Sequence, residues 1–113
     1  MDCIFCKIAE GKIPSKKVYE DDYVLAFYDI APQAPVHILI IPKKHFSTIL
    51  EIEQSDRELI GHIFLIANKI AKDMGVNERG FRIVVNCNRD GGQTVFHLHF
   101  HLLAGRTMHW PPG

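Results

Sequence analysis

The sequence predicts an α+β fold: a five-stranded, largely antiparallel sheet with one long helix and one short N-terminal helix. Strand-type runs come in succession before a single long 3.6-period segment, and two more follow it. The last of these alternates imidazole and apolar side chains with period two. At 113 residues the chain suits a single core, so one domain over residues 1–113 is expected.

Ile4 to Glu10 reads as a short helix ending at Gly11, and Pro14 blocks its continuation. Cys3 and Cys6 then fall on its first turn or just before it. Lys17–Glu20 and Val24–Tyr28 are strands joined through Asp21-Asp22. Val36–Ile41 is a third strand stopped by Pro42, and its nearly unbroken apolar character calls for burial on both faces. Ser55-Asp56-Arg57-Glu58 has capping-box spacing. The following Leu59, Ile63, Ile66 and Ile70, with Ile60, Phe64, Ala67 and Ala71, form a broad apolar stripe up to Gly75. No second helix of that length is present to receive the stripe, so it must pack on the sheet. Phe81–Asn86 and Phe96–Leu103 complete the set, separated by a loop containing Gly91-Gly92.

Thirteen basic residues balance thirteen acidic ones, leaving no global field to attract nucleic acid. No stretch approaches the ~18 apolar residues of a membrane helix, and the first residues lack a basic segment followed by an apolar run. A cytoplasmic protein is expected, without nucleic-acid or membrane partners. Three cysteines are an odd number for a disulfide framework, and Cys3-x-x-Cys6 points to metal or redox chemistry in a reducing compartment.

Three of the seven histidines alternate in Phe96-His97-Leu98-His99-Phe100-His101. On a strand these imidazoles share one face looking into a cleft, while Phe96, Leu98, Phe100 and Leu102 face the core. Such a row suits either a chelated metal or a nucleophilic imidazole oriented by its neighbours. Just upstream, Asp90-Gly91-Gly92-Gln93-Thr94 offers backbone N–H groups, with the Gln93 amide and Thr94 hydroxyl, as donors to an anion.

These residues carry a resemblance. His97-Leu98-His99-Phe100-His101-Leu102-Leu103 is similar to the histidine-triad (HIT) signature. Gly91-Gly92-Gln93-Thr94-Val95-Phe96, Pro42-Lys43-Lys44-His45, Asp29-Ile30, Ala34-Pro35-Val36-His37 and Met108-His109-Trp110-Pro111-Pro112-Gly113 resemble the Hint branch of that superfamily. The resemblance covers essentially the whole chain and implies a single HIT domain. It implies a purine nucleoside phosphoramidase that cleaves the P–N bond of adenosine 5′-monophosphoramidates through a nucleotidyl-histidine, acting on AMP, GMP and their phosphoramidates.

Carried onto this sequence, the nucleophile is His99, with His101 at the phosphate and His97 and His37 supporting. Asn86, Gly92 and Thr94 fall on the phosphate side, and Asp29 is the acceptor for the ribose hydroxyls. Ile4, Phe5, Ile8, Phe27, Ile30 and Leu39 form the slot for the base. Thr94 replaces the serine common in relatives, and Tyr28 stands where many have histidine. No catalytic cofactor is implied. Cys3, Cys6, His45 and His97 resemble a structural zinc set in some relatives, the alternative being two buried thiols with His45 on the surface. A homodimer is implied, with the central strands and long helix at its two-fold axis. Two other classes stay open: a nucleotide-binding interaction module with incidental hydrolysis, and a metal-dependent hydrolase.

Overall fold

The computed structural model describes residues 2–113. Helix α1 spans Ile4–Ala9, strands β1, β2 and β3 span Lys17–Glu20, Val24–Tyr28 and Val36–Pro42, helix α2 spans Arg57–Asp73, and β4 and β5 span Phe81–Val84 and Phe100–Ala104. The strands form one sheet in the order β1-β2-β3-β5-β4, every neighbour antiparallel.

The alternation of each strand divides the interior in two. On one face Val24, Ala26, Ile38, Ile40, Phe100 and Leu102 meet Ile63, Ile66, Ala67 and Ile70 of α2. On the other, Leu25, Phe27, Leu39 and Ile41 meet Cys3, Phe5 and Ile8, brought by α1. Strand β3 therefore has no solvent-facing side, as its sequence requires, and the α2 stripe packs on the sheet as expected.

Both helices stop the same way. Gly11 and Gly75, with φ of 78° and 71°, follow the last turns, and the pairs Gly11 N to Ile8 O with Lys12 N to Lys7 O, and Gly75 N to Lys72 O with Val76 N to Ala71 O, close them as Schellman motifs. The start of α2 differs from its expected form. The reciprocal cap lies two residues upstream, between Glu53 and Asp56 at a 3₁₀ turn over Gln54–Asp56, and the Ser55/Glu58 pair is not used. Asp56 Oδ2 accepts from Glu53 N at 2.9 Å, and Asp56 N donates back to the Glu53 carbonyl.

Two strands are shorter than expected. Strand β4 ends at Val84, and β5 begins only at Phe100, so His97 and His99 precede the ladder. The reason lies opposite them: β3 ends in Pro42, which has no N–H to continue the pairing. Leu98 N donates instead to Phe46 O at 2.7 Å, beyond the proline.

The β1–β2 turn is fastened to α2. Asp21 accepts from the backbone N–H groups of Tyr23 and Val24 and lies 2.6 Å from Nε2 of His62. Burial pushes its carboxyl up, but the His62, Tyr23, Tyr19 and Val24 hydrogen bonds outweigh this and hold it down at about 2.

The two sides of α2 should respond unequally to truncation. Ile63, 1% exposed, faces the sheet, whereas Leu65 is 66% exposed. Denaturant unfolding should show Ile63→Ala losing about 2–5 kcal/mol and Leu65→Ala changing by about 0.5 kcal/mol or less.

Candidate active site

The imidazoles gather on the α1 side of the sheet. His37 on β3 stands opposite Leu103, and His101 on β5 stands opposite Leu39, so the two rings are diagonal neighbours. His37 Nε2 and His101 Nδ1 are 2.9 Å apart, and the His101 ring lies 4.9 Å from that of His99. Phe5 of α1 meets the His99 ring edge-on at 5.2 Å.

Backbone groups fix which nitrogen carries each proton. His99 Nδ1 is 2.7 Å from the His97 carbonyl, which can only accept, so Nδ1 bears the hydrogen and Nε2 keeps the lone pair. The backbone N–H of Gln33 donates to His37 Nδ1 at 3.0 Å. His37 then donates from Nε2 to His101 Nδ1, leaving a hydrogen on His101 Nε2. His99 thus turns Nε2 away from its backbone partner, and His101 presents an N–H donor.

Burial, and then its His99 and His37 neighbours, push His101 down to about 4 against the opposing Asp29 carboxylate. His37 is also lowered, by burial against the same carboxylate, whose Oδ2 lies 3.4 Å from Nε2.

Contrary to the expectation of a shared cleft-facing row, His97 is fully buried. Its Nε2 donates to the Pro42 carbonyl at 2.8 Å, so the Nδ1 lone pair points away from it. That nitrogen lies 3.3 Å from Cys3 Sγ, 3.5 Å from Cys6 Sγ and 3.1 Å from His45 Nδ1. His45 Nδ1 is 3.4 Å from Cys6 Sγ, and its Nε2 bonds Ser47 Oγ. A tetrahedral ion with thiolate and imidazole ligands spaces its donors about 3.3–3.8 Å apart, so the set is compact enough to hold one. Burial, then the Cys3 thiol, push Cys6 up to about 11.

Asp29, His37 and His101 also bring donor atoms within 4.8 Å of one another, but they fail as a ligand set. A neutral histidine binding through Nε2 must carry its proton on Nδ1, where His37 instead accepts from Gln33.

Beside the imidazoles a cleft of about 730 Å³ is lined by Ile8, Phe27, Asp29 and Ile30 of the expected nucleotide residues, together with Ser15 and Tyr28. Phe5, Ile8, Phe27 and Leu39 belong to one buried apolar cluster behind it. Ile4 and Ile30 are exposed, Ile30 completely. A larger cavity of about 1070 Å³ lies against α2, among Tyr23, His62 and Leu65, and contains no triad residue.

Asn86 is half-buried, and Gly92 and Thr94 are exposed on the turn that follows β4. No hydrogen bond joins them to the imidazoles among the described residues. Gln93 departs from its expected part as an anion donor. It is 7% exposed, with both amide hydrogens directed at the Ser47 and Val95 carbonyls and Oε1 accepting from Asn88 N. Gly91 packs so tightly that a Cβ there would sit 2.5 Å from the Cys87 carbonyl oxygen. The groups that sequence reading missed are the carbonyls of His97 and Pro42 and the N–H of Gln33, which have no side-chain signature.

A helix-backed antiparallel sheet whose other face carries oriented imidazoles defines the histidine-triad class. The HIT domain family model matches residues 10–108, and the chain belongs to that family. It is 53% identical over 112 residues, 99% of this chain and 97% of the relative, to an uncharacterized HIT-like protein of Synechococcus elongatus. The HIT family hydrolase of Legionella pneumophila superposes with a TM-score of 0.98 at 54% identity, covering 99% of this chain and 100% of that one. A histidine triad nucleotide-binding protein of Candida albicans reaches 0.84 at 34% identity, over 97% and 83% of the two chains.

The lowered pKa values set the acid response. Unfolded, His37 and His101 take up protons near pH 6.5, whereas folded His101 does so only near 4. Between those values the unfolded state binds more protons, so stability rises with pH. The denaturant midpoint should fall on acidification from pH 7 to 4, and His101→Gln should flatten that slope.

Proposed function

We propose that the protein is a hydrolase of purine nucleoside phosphoramidates, with adenosine 5′-monophosphoramidates as the leading substrates. The observation that carries this reading is the His99 Nδ1–H bond to the His97 carbonyl, which leaves Nε2 as the lone-pair nitrogen. A neutral imidazole is an effective nucleophile at neutral pH. Its Nε2 attacks the α-phosphorus, the P–N bond breaks with its electron pair passing to nitrogen, and that nitrogen takes a proton from solvent to depart as the amine. Water then cleaves the nucleotidyl-His99 bond to release the nucleoside monophosphate.

The remaining residues divide the work of binding. The Nε2–H of His101 donates to a phosphoryl oxygen as charge develops there. Asp29 receives the ribose hydroxyls. Its Oδ1 is steadied by the N–H of Ala31 at 2.8 Å. Gly92 and Thr94 supply phosphate donors, Asn86 flanks them, and the apolar wall of Phe5, Ile8, Phe27 and Leu39 takes the base, with Ile4 and Ile30 at its rim.

Incubation with adenosine 5′-phosphoramidate should release AMP. His99→Ala should lower turnover by about a thousandfold or more, and intact-mass analysis of a slow analogue should find the nucleotidyl adduct on His99. Turnover persisting in that variant would falsify the nucleophile assignment.

Cys3, Cys6, His45 and His97 are proposed to hold a structural zinc ion, which supplies a closed cross-link between α1, the segment after β3 and residue 97. Metal analysis of purified protein should give one zinc per chain, falling to background in Cys3→Ser/Cys6→Ser. The absence of metal from the unaltered protein, even after zinc addition and desalting, would exclude the site.

A further inference from the structure

Gln93 is the one polar side chain of the Gly-Gly-Gln-Thr turn that is buried, and its amide is fully used. Nε2 donates to Ser47 O at 2.8 Å and Val95 O at 3.0 Å, while Oε1 accepts from Asn88 N at 2.9 Å. Asn88, the single non-glycine residue with positive φ (60°) among the described residues, begins this turn. Gln93 N donates back to Asn88 O, and Gly92 N to Arg89 O. The side chain therefore closes the turn on itself and also bolts it to a distant segment, since residues 47 and 93 are 46 apart in sequence.

That segment is not neutral ground. Ser47 Oγ is 3.3 Å from Nε2 of His45, whose Nδ1 faces the two cysteines and His97. From the turn bearing Gly92 and Thr94 the Gln93 amide reaches the main-chain carbonyl of Ser47, and the hydroxyl of that same residue carries the contact on to His45 and the cysteine–histidine cluster. Residue 97 closes the circuit, because its side chain belongs to that cluster and its carbonyl orients His99.

We propose that Gln93 is a positioning residue that fixes the phosphate-side turn and couples its order to the cysteine–histidine cluster, touching no substrate itself. The amide has no hydrogen left for a ligand, and a buried amide with three partners is costly to turn outward. A carboxylate at this position keeps the size and the Asn88 bond but faces two carbonyls with no hydrogen to give. An asparagine keeps the chemistry but is one methylene too short to reach all three partners.

The test compares the intact protein with Gln93→Glu, Gln93→Asn and Ser47→Ala by amide hydrogen exchange, cobalt(II) titration of metal-stripped protein, and binding of AMP against adenosine. In Gln93→Glu the amides of residues 88–94 should exchange about tenfold or more faster, as expected for two lost hydrogen bonds. The α2 core amides should be unmoved. Cobalt affinity should drop, AMP affinity should drop, and adenosine binding should stay. Gln93→Asn should fall between, and if Gln93→Glu does not fold it carries the test. Ser47→Ala should weaken cobalt binding and leave turn exchange unchanged.

Unchanged turn exchange with weakened AMP binding would make Gln93 a direct ligand contact and overturn the proposal. Faster exchange throughout α2 would make it a general stability residue, also overturning it. Unaltered cobalt affinity in every variant would remove the coupling. The AMP arm rests on the function proposed above. Failure of the unaltered protein to bind either ligand would defeat that function, while exchange and cobalt would still decide the role of Gln93.

Discussion

The site depends on where the backbone of residue 97 is held. Its carbonyl chooses the tautomer of His99, and its own imidazole anchors it between the Pro42 carbonyl and the cysteine cluster. Were that carbonyl to swing away, His99 would be free to carry its hydrogen on either nitrogen, and the lone pair would no longer have a fixed address. A parallel constraint acts on the neighbouring pair, where a single backbone N–H from Gln33 dictates the hydrogen on His37 and, through it, that on His101. Lone pair and N–H donor are both set by backbone geometry and stand side by side on neighbouring rings.

Strand β3 is the element that makes this possible. One of its faces completes the α2 core, the other supplies His37 and Leu39 to the site. Its terminal proline then refuses a ladder partner to residues 97–99. Chain that is released from pairing can turn one side chain toward the cluster and another toward the cleft. The zero net charge of the chain is compatible with this plan. In the function proposed above, donors within a few ångströms would do the work that a basic surface does at longer range.

Much of this was legible in the sequence. The two-sided apolar run of β3, the 3.6-period stripe of α2 and the positions of Gly11 and Gly75 are strong local signals, and the elements they predicted formed. The alternation at 96–103 was legible in part. It placed Leu98 and Phe100 in the core, but it could not show that the ladder stops at Pro42, because pairing depends on a partner 55 residues away. Periodicity likewise treats His97 and His99 as equivalent, whereas only His97 reaches the thiols and only His99 lies beside His101. The Ser55/Glu58 spacing was outcompeted by an equally good acidic pair nearby. Gln93 was misread for a plainer reason: an amide beside a glycine turn looks like a donor to solvent until its inward acceptors, both carbonyls, are located.

Helix α1 spans only six residues, too few to persist alone in water. It nevertheless carries Phe5 and Ile8 on its buried side and has Cys3 as its N-cap, with the thiol accepting from Cys6 N. Any fluctuation that lifts this single turn and a half from the sheet withdraws the aromatic neighbour of His99, opens the apolar wall and uncovers both sulfurs in one movement. Access of an oxidant to the thiols and integrity of the apolar wall are therefore governed by the same local opening.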